Sequence, residues 1–353
     1  MYPISFDTND KLYLEPDLRG ILRICSPFFF FLLQTHQLFR ANRLVCAALC
    51  VLVETQCYRL CKVFHHYRDT DYLALSLVYG FLMMQSLRTC IICLQNTTPR
   101  RVNSMINKKG TKGSYYDAVQ YVCSVRKYGW TDNAVPEFDP PYFPYRTWVT
   151  RTIIYGACYW LCVAFLIWYN SQSKTPYEVN TWPLRLLLPF IRSLYVYLVL
   201  NNCYYTMTVL SIPLRIWDIR DFPPLMKNLI KTKSVHDFWS RDWHVWTKPY
   251  FRTLGWEPVY KLTKSKFLGS LAAFLVSGLY HDFAFWSVIG HSNPGILFQF
   301  AINAVFIKFE KRFPILQKIP FLPILLQIIL HTELGMGKVM VQQGWGPFVR
   351  IEH

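Results

Sequence analysis

Apolar residues run along this chain in blocks close to 20 long, parted by polar or basic stretches. A block of ~20 is what a helix needs to cross a hydrocarbon core about 30 Å thick. The blocks predict about eight helices, at approximately 21–39, 44–64, 72–94, 147–169, 184–212, 267–289, 295–309 and 319–335. Three of them depart from a clean pattern: the first holds Gln34 and His36, the second holds Glu54, and the seventh is short. The fifth carries Arg192 and Asn201-Asn202 and is long enough for a tilted span or for two pieces. The expected fold is all-α, a polytopic transmembrane helical bundle.

The connecting loops test that count independently, because short loops rich in Lys and Arg face the cytoplasm. Basic loops follow the first, third, fifth and seventh helices, with Arg40 and Arg43, then Arg100, Arg101, Lys108, Lys109 and Lys112, then Arg215, Arg220, Lys227, Lys231 and Lys233, then Lys311, Arg312 and Lys318. The loops between them balance their charge or carry none. The alternation agrees with eight spans and both termini on the lumenal side. Two cytoplasmic loops, roughly 95–146 and 213–266, exceed ordinary connections, a length that usually marks function or added structure. The chain shows no internal repeat and no low-complexity tract.

Composition fits this reading. Apolar residues make up 52% of the chain and aromatics 17%, and many aromatics flank the apolar blocks as an interfacial belt does. The formal charge of +17 would suggest nucleic acid in a soluble protein. Here it assigns loops to the cytoplasmic side and favours anionic lipid or a phosphorylated cofactor. Residues 1–20 form a polar N-terminal segment with no apolar core of a signal peptide, so insertion is expected to use an internal helix. The remainder, 21–353, is expected to be one membrane-embedded domain with its core at about 213–290. Cys46, Cys50, Cys57 and Cys61 fall on one helical face, and Cys90 and Cys93 form a CxxC inside an apolar block. Both patterns read as small buried packing residues, and no metal site is expected.

Candidate chemistry gathers in the second long loop and the sixth helix. The loop reads Ser234-Val235-His236-Asp237-Phe238-Trp239-Ser240-Arg241-Asp242-Trp243-His244. Ser234 with Asp237 three residues on predicts a helix N-cap. Phe238, Trp239, Trp243 and His244 make an aromatic interfacial face, and Arg241, Lys248 and Arg252 follow at near-helical spacing. An amphipathic helix with snorkelling bases accounts for the same pattern. The sixth helix carries His281 and Asp282 within an apolar block. An ionisable side chain at that depth is costly and faces a bundle interior or a wet cavity, although a histidine bonding a neighbouring helix would also satisfy the pattern. Ser277 and Gly278, one turn earlier, are small enough to admit a neighbouring backbone or a substrate. Adjacent helical residues do not share a face, so Asp282 is not expected to orient His281.

Phe238-Trp239-x-Arg241-x-Trp243-His244, followed by Phe274-Leu275-x-Ser277-Gly278-x-x-His281, resembles the signature pair of the wax synthase branch of membrane-bound O-acyltransferases. Arg126-Lys127-Tyr128-Gly129-Trp130 and Asp221-Phe222-Pro223-Pro224-Leu225 resemble two further elements of that branch. The similarity spans roughly 120–290. The branch commonly has Gly where Ser240 stands and Arg where Asp242 stands, which bears on cofactor contact.

The resemblance implies an acyl-CoA co-substrate and a lipophilic alcohol acceptor, with no permanently bound cofactor. It places His281 at the catalytic position and His244 at its partner position. Trp239, Arg241, Trp243, Lys248 and Arg252 are the expected contacts to CoA, and Ser277, Gly278 and Asp282 the expected lining of a substrate channel. A histidine near neutral pKa can take the hydroxyl proton as attack proceeds, and a hydrogen-bond donor can stabilise the developing oxyanion. The donor expected is acetyl-CoA, with a terpenoid or meroterpenoid hydroxyl as acceptor; wax-ester synthesis from a long-chain alcohol is the alternative. The expected location is the endoplasmic reticulum membrane, the partners are the lipid bilayer and the two substrates, and no nucleic acid is involved. A reading of another class is a membrane transporter or ligand-binding protein in which Arg192, Asn201, Asn202 and His281 line a pathway; the lack of repeats weakens transport.

Overall fold

The structure is a computed structural model and describes residues 18–67, 73–95, 143–171, 182–213, 222, 224–226, 229–243, 247–289, 292–319 and 321–330. There is no β-strand among the described residues, and a helix stands at each of the eight predicted places. In chain order the first five are α1 (Leu18–Phe39), α2 (Arg43–Tyr67), α3 (Leu73–Leu94), α4 (Tyr145–Ser171) and α5 (Trp182–Ser211). The second long loop adds α6, which begins as Val235–Asp237 and opens into a π-helical turn at Phe238–Asp242. It also adds α7, running from Lys248–Phe251 through a π-helical turn at Arg252–Trp256 into Glu257–Thr263. Then come α8 (Lys266–Ile289), α9 (Pro294–Arg312) and α10 (Leu322–Ile329).

Four helices are long and apolar enough to cross a membrane among the described residues, over Arg43–Val63, Ser76–Leu94, Tyr145–Trp168 and Lys266–Ser287. The protein is an all-α polytopic membrane protein. α5 is one continuous helix and not two pieces. At about 1.5 Å per residue its length exceeds the hydrocarbon core, so it tilts or projects if it spans.

The chain packs as two compact units. The first contains α1–α3 and the end of α8 from Leu279. Its three N-terminal helices pack on one another around Phe31, Val53, Cys57, Leu60, Cys61, Tyr79 and Leu82, with Phe283 against them. The predicted cysteine face is this core. Cys46, Cys50, Cys57 and Cys61 are all buried free thiols, with Cys46 beside Leu38, Ile92 and Cys93. Small thiols let helices approach closely where no hydrophobic drive separates helix from lipid. A reciprocal polar pair crosses the same interior: Gln34 Nε2 donates to the Ser86 carbonyl at 3.0 Å, and Ser86 Oγ donates to Gln34 Oε1 at 2.8 Å.

The second unit holds α4–α7, the first part of α8, α9 and α10. α4 and α5 run antiparallel, joined by an aromatic ladder that pairs Trp148 with Tyr204 and Tyr205, Tyr155 with Tyr197, and Tyr159 with Tyr195. The Tyr155 and Tyr197 hydroxyls lie 3.1 Å apart. Phe222, Leu225 and Met226, from the start of the second long loop, are buried against Trp148, Tyr204 and Tyr205. The apolar members of that proline-containing stretch thus seat the loop on the α4–α5 pair.

Candidate active site

The motif segment is fixed first at its N-terminus. Ser234 is extended, with φ −143° and ψ 154°, and its hydroxyl accepts the Asp237 N–H at 2.9 Å, the cap its sequence predicted. That cap satisfies one of the four amides that a helix start leaves without an intrahelical partner, and Val235 and His236 supply two of the others. Glu310, near the end of α9, takes both: Oε2 accepts the Val235 N–H at 2.7 Å and Oε1 the His236 N–H at 2.9 Å. Glu310 is buried, so these are charge-assisted bonds shielded from water. The amides of Val235 and His236 are therefore occupied by the protein's own carboxylate.

After one turn the segment widens. The Trp243 N–H reaches back five residues to the Phe238 carbonyl at 2.7 Å, a π-helical bond of a kind frequent at functional sites. The wider turn lets Phe238 stack on Trp243 at 5.4 Å with the rings 13° apart, while Trp239 leaves the segment in another direction. Its indole meets Phe274 of α8 edge-on at 5.6 Å and lies 6.0 Å from Phe300 of α9. Trp239 Nε1 donates to Asn303 Oδ1 at 3.0 Å, and that same oxygen accepts Gln327 Nε2 of α10 at 2.7 Å. Asn303 is fully buried and gives its own amide hydrogen to the Gln299 carbonyl.

Of the basic residues Arg241, Lys248 and Arg252, the two arginines are organised by acids. Arg241 grips Asp242 with Nε on Oδ1 at 2.9 Å and Nη2 on Oδ2 at 3.1 Å, and Asp237 lies 3.6 Å away one turn back. The bond to Asp242 raises the Arg241 pKa above its ordinary value. Asp242 itself is buried and also accepts Thr232 Oγ1 at 2.7 Å. Asp242 is thus a structural acceptor that aims Arg241. Lys248 Nζ donates to the Ser240 carbonyl at 3.3 Å, and desolvation, then the nearby Arg252 cation, lower its pKa. Arg252 Nε donates to Glu257 Oε1 at 2.8 Å, and its guanidinium lies 5.8 Å from the Trp256 ring centroid.

α7 is pressed onto α8 by glycine. A Cβ at Gly255 would meet the Ala272 carbonyl oxygen at 2.7 Å and the Ala273 Cα and N at 2.8 Å, so only glycine permits this backbone approach. Across the contact Gly269 takes the face of Trp256, whose ring stacks on Tyr260 at 4.5 Å. Further along α8, the space beside Gly278 is taken by Leu297 and Phe300 of α9, and Ser277 is buried. Of the two uses expected for this small pair, admission of a neighbouring helix is what Gly278 performs.

His281 and Asp282 belong to the first unit. His281 is half-buried, its ring edge-on to Tyr280 at 4.8 Å. It stands about 22 Å along α8 from Lys266 by helical rise, well inside a membrane-crossing helix. Tyr280 anchors this stretch to α3: its hydroxyl donates to the Leu77 carbonyl at 3.0 Å, and its ring fills the space beside Gly80. Asp282 is buried and accepts the Ser292 hydroxyl. Trp286 stacks on Tyr58 of α2 with the rings 9° apart.

The second unit therefore gathers Trp239, Arg241, Trp243, Lys248, Arg252, Ser277 and Gly278, while His281 and Asp282 stand in the first. His244, Asp221 and the Arg126–Trp130 element lie outside the described residues. Sequence reasoning missed Glu310, Asn303, Gly255 and Trp256, and took Asp242 for a lost base and not for a buried acceptor. Gln299, Asn303 and Glu310 fall on one face of α9, away from the basic Lys308, Lys311 and Arg312, and that spacing was the available signal.

The model of a family described as membrane bound O-acyl transferase matches residues 222–302, from the seated Phe222 into α9. An uncharacterized membrane protein of Schizosaccharomyces pombe is 36% identical over 352 residues, 98% of this chain and 98% of that one. No solved structure matches.

Proposed function

We propose that this chain, whose residues 222–302 match the model of the membrane bound O-acyl transferase family, moves an acyl group from acyl-CoA to the hydroxyl of a lipophilic alcohol. The observation that carries the proposal is that the matched segment, residues 222–302, contains both His244 and His281. The acceptor oxygen attacks the thioester carbonyl carbon, and His281 takes the hydroxyl proton as the bond forms. A donor from the His244 position stabilises the oxyanion, which collapses with cleavage of the C–S bond. The thiolate leaves as CoA after receiving the proton from His281. General-base help of this kind contributes about 10²–10⁴-fold.

Arg241, Lys248 and Arg252 supply the positive charge that CoA phosphates require, and Trp239 and Trp243 the aromatic surface beside it. The donor we propose is acetyl-CoA and the acceptor a terpenoid-type alcohol that arrives through the bilayer of the endoplasmic reticulum. Competition in microsomes between acetyl-CoA and palmitoyl-CoA, against a panel of polycyclic and long-chain alcohols, tests this. Acetyl transfer to a polycyclic alcohol is expected. Preference for palmitoyl-CoA with a linear alcohol would replace the substrate assignment with wax-ester synthesis, and no transfer from any donor would sink the enzymatic reading.

A further inference from the structure

We propose that Asn303 and Glu310 of α9 are positioning residues for the acyl transfer, holding the motif segment Val235–Asp242 in register. This rests on the acyltransferase reading of that segment. The two residues stand two helical turns apart on one buried stripe with Ile296, Phe300 and Ile307. Both follow residue 302, where the family match ends.

Their bonds are specific to position. Glu310 spends one oxygen on each of two successive amides, so a slip of the segment by one residue would break both. Asn303 spends one oxygen on Trp239 of the segment and Gln327 of α10, tying three elements at one atom. A stripe meant only to fill space would do as well with leucine, because replacing a buried charge by packed apolar atoms is often neutral or stabilising. Buried polar groups instead fix which residue sits where. A reacting or binding group displaced by about 1 Å loses about 10²-fold in rate, so register along α9 governs turnover.

The test uses the full-length protein in membranes, as wild type, Glu310→Gln, which keeps size and one good acceptor, and Glu310→Ala, which keeps neither. Timed tryptic cleavage after Lys233 and Arg241 reads the segment directly, and kcat and KM for the donor read its effect. Release of two charge-assisted bonds is expected to speed cleavage about tenfold in Glu310→Ala, with Glu310→Gln between it and wild type. kcat should fall about tenfold or more while the donor KM moves less than about threefold. Variants that accumulate less but cleave and turn over like wild type would overturn the proposal. If wild-type membranes transfer no acyl group, the enzymatic reading fails, and the cleavage rates still decide whether Glu310 holds the segment.

Discussion

Replacing Gly255 by alanine adds one methyl group at the tightest backbone contact between the loop and α8. Its Cβ would sit 2.7 Å from the Ala272 oxygen and 2.8 Å from two main-chain atoms of Ala273. Ordinary non-bonded carbon contacts lie at about 3.5–4.0 Å. All three opposing atoms are main chain and none can rotate away, so α7 must lift from α8 by close to an ångström. Overpacking of this kind costs about 1–3 kcal/mol. Against it stands a helix-propensity gain of up to about 1 kcal/mol from Gly to Ala. Gly156 in α4 is the internal control, since the nearest atom to its added Cβ is Asn202 Oδ1 at an ordinary 3.6 Å. Heating detergent-solubilised protein and measuring the surviving monodisperse fraction by size exclusion should place Gly255→Ala about 1–3 °C below wild type. Gly156→Ala should match or exceed wild type. Equal midpoints for the two variants would refute the close approach.

Two further outcomes follow from the packing. Trp239→Phe keeps the ring contacts to Phe274 and Phe300 but loses the bond to Asn303, and should cost about 1 kcal/mol; Trp239→Ala should cost about 3–5 kcal/mol. The same heating assay separates them: a Trp239→Phe variant as stable as wild type would remove the hydrogen bond from the account, and equal losses in the two variants would remove the ring packing. Cys46→Ala and Cys57→Ala should each cost about 1 kcal/mol with turnover unchanged, because these thiols pack. Lost turnover at unchanged stability would give them a chemical role.

The helices were legible in the sequence because hydropathy acts over one helix length and needs no partner, and four of them are long and apolar enough to cross a membrane among the described residues. The Ser234 cap was legible for the same reason, its acceptor and donor lying three residues apart. His281 announced itself through the cost of an ionisable group in an apolar block, and the cysteine face through its spacing. What stayed hidden depends on residues far apart in the chain. Glu310 finds its amides some 75 residues upstream, and no periodicity encodes that. Asn303 looked like one polar interruption of a short span until Trp239 and Gln327 converged on it. The departure at Asp242 read as a lost base, whereas the buried acid orders Thr232 and Arg241. The π-helical turns were invisible because they arise from how the loop meets α8 and α9, not from a local preference for five-residue bonds.

The central claim is that His281 is the base of an acyl transfer within the membrane. Its most direct test is turnover of labelled acyl-CoA and an accepting alcohol by membranes holding His281→Ala at wild-type abundance. The account predicts a fall in kcat of about 10²–10⁴-fold with the protein still inserted and of unchanged thermal midpoint. Turnover near that of wild type would contradict it and leave His281 as a residue that only joins helices.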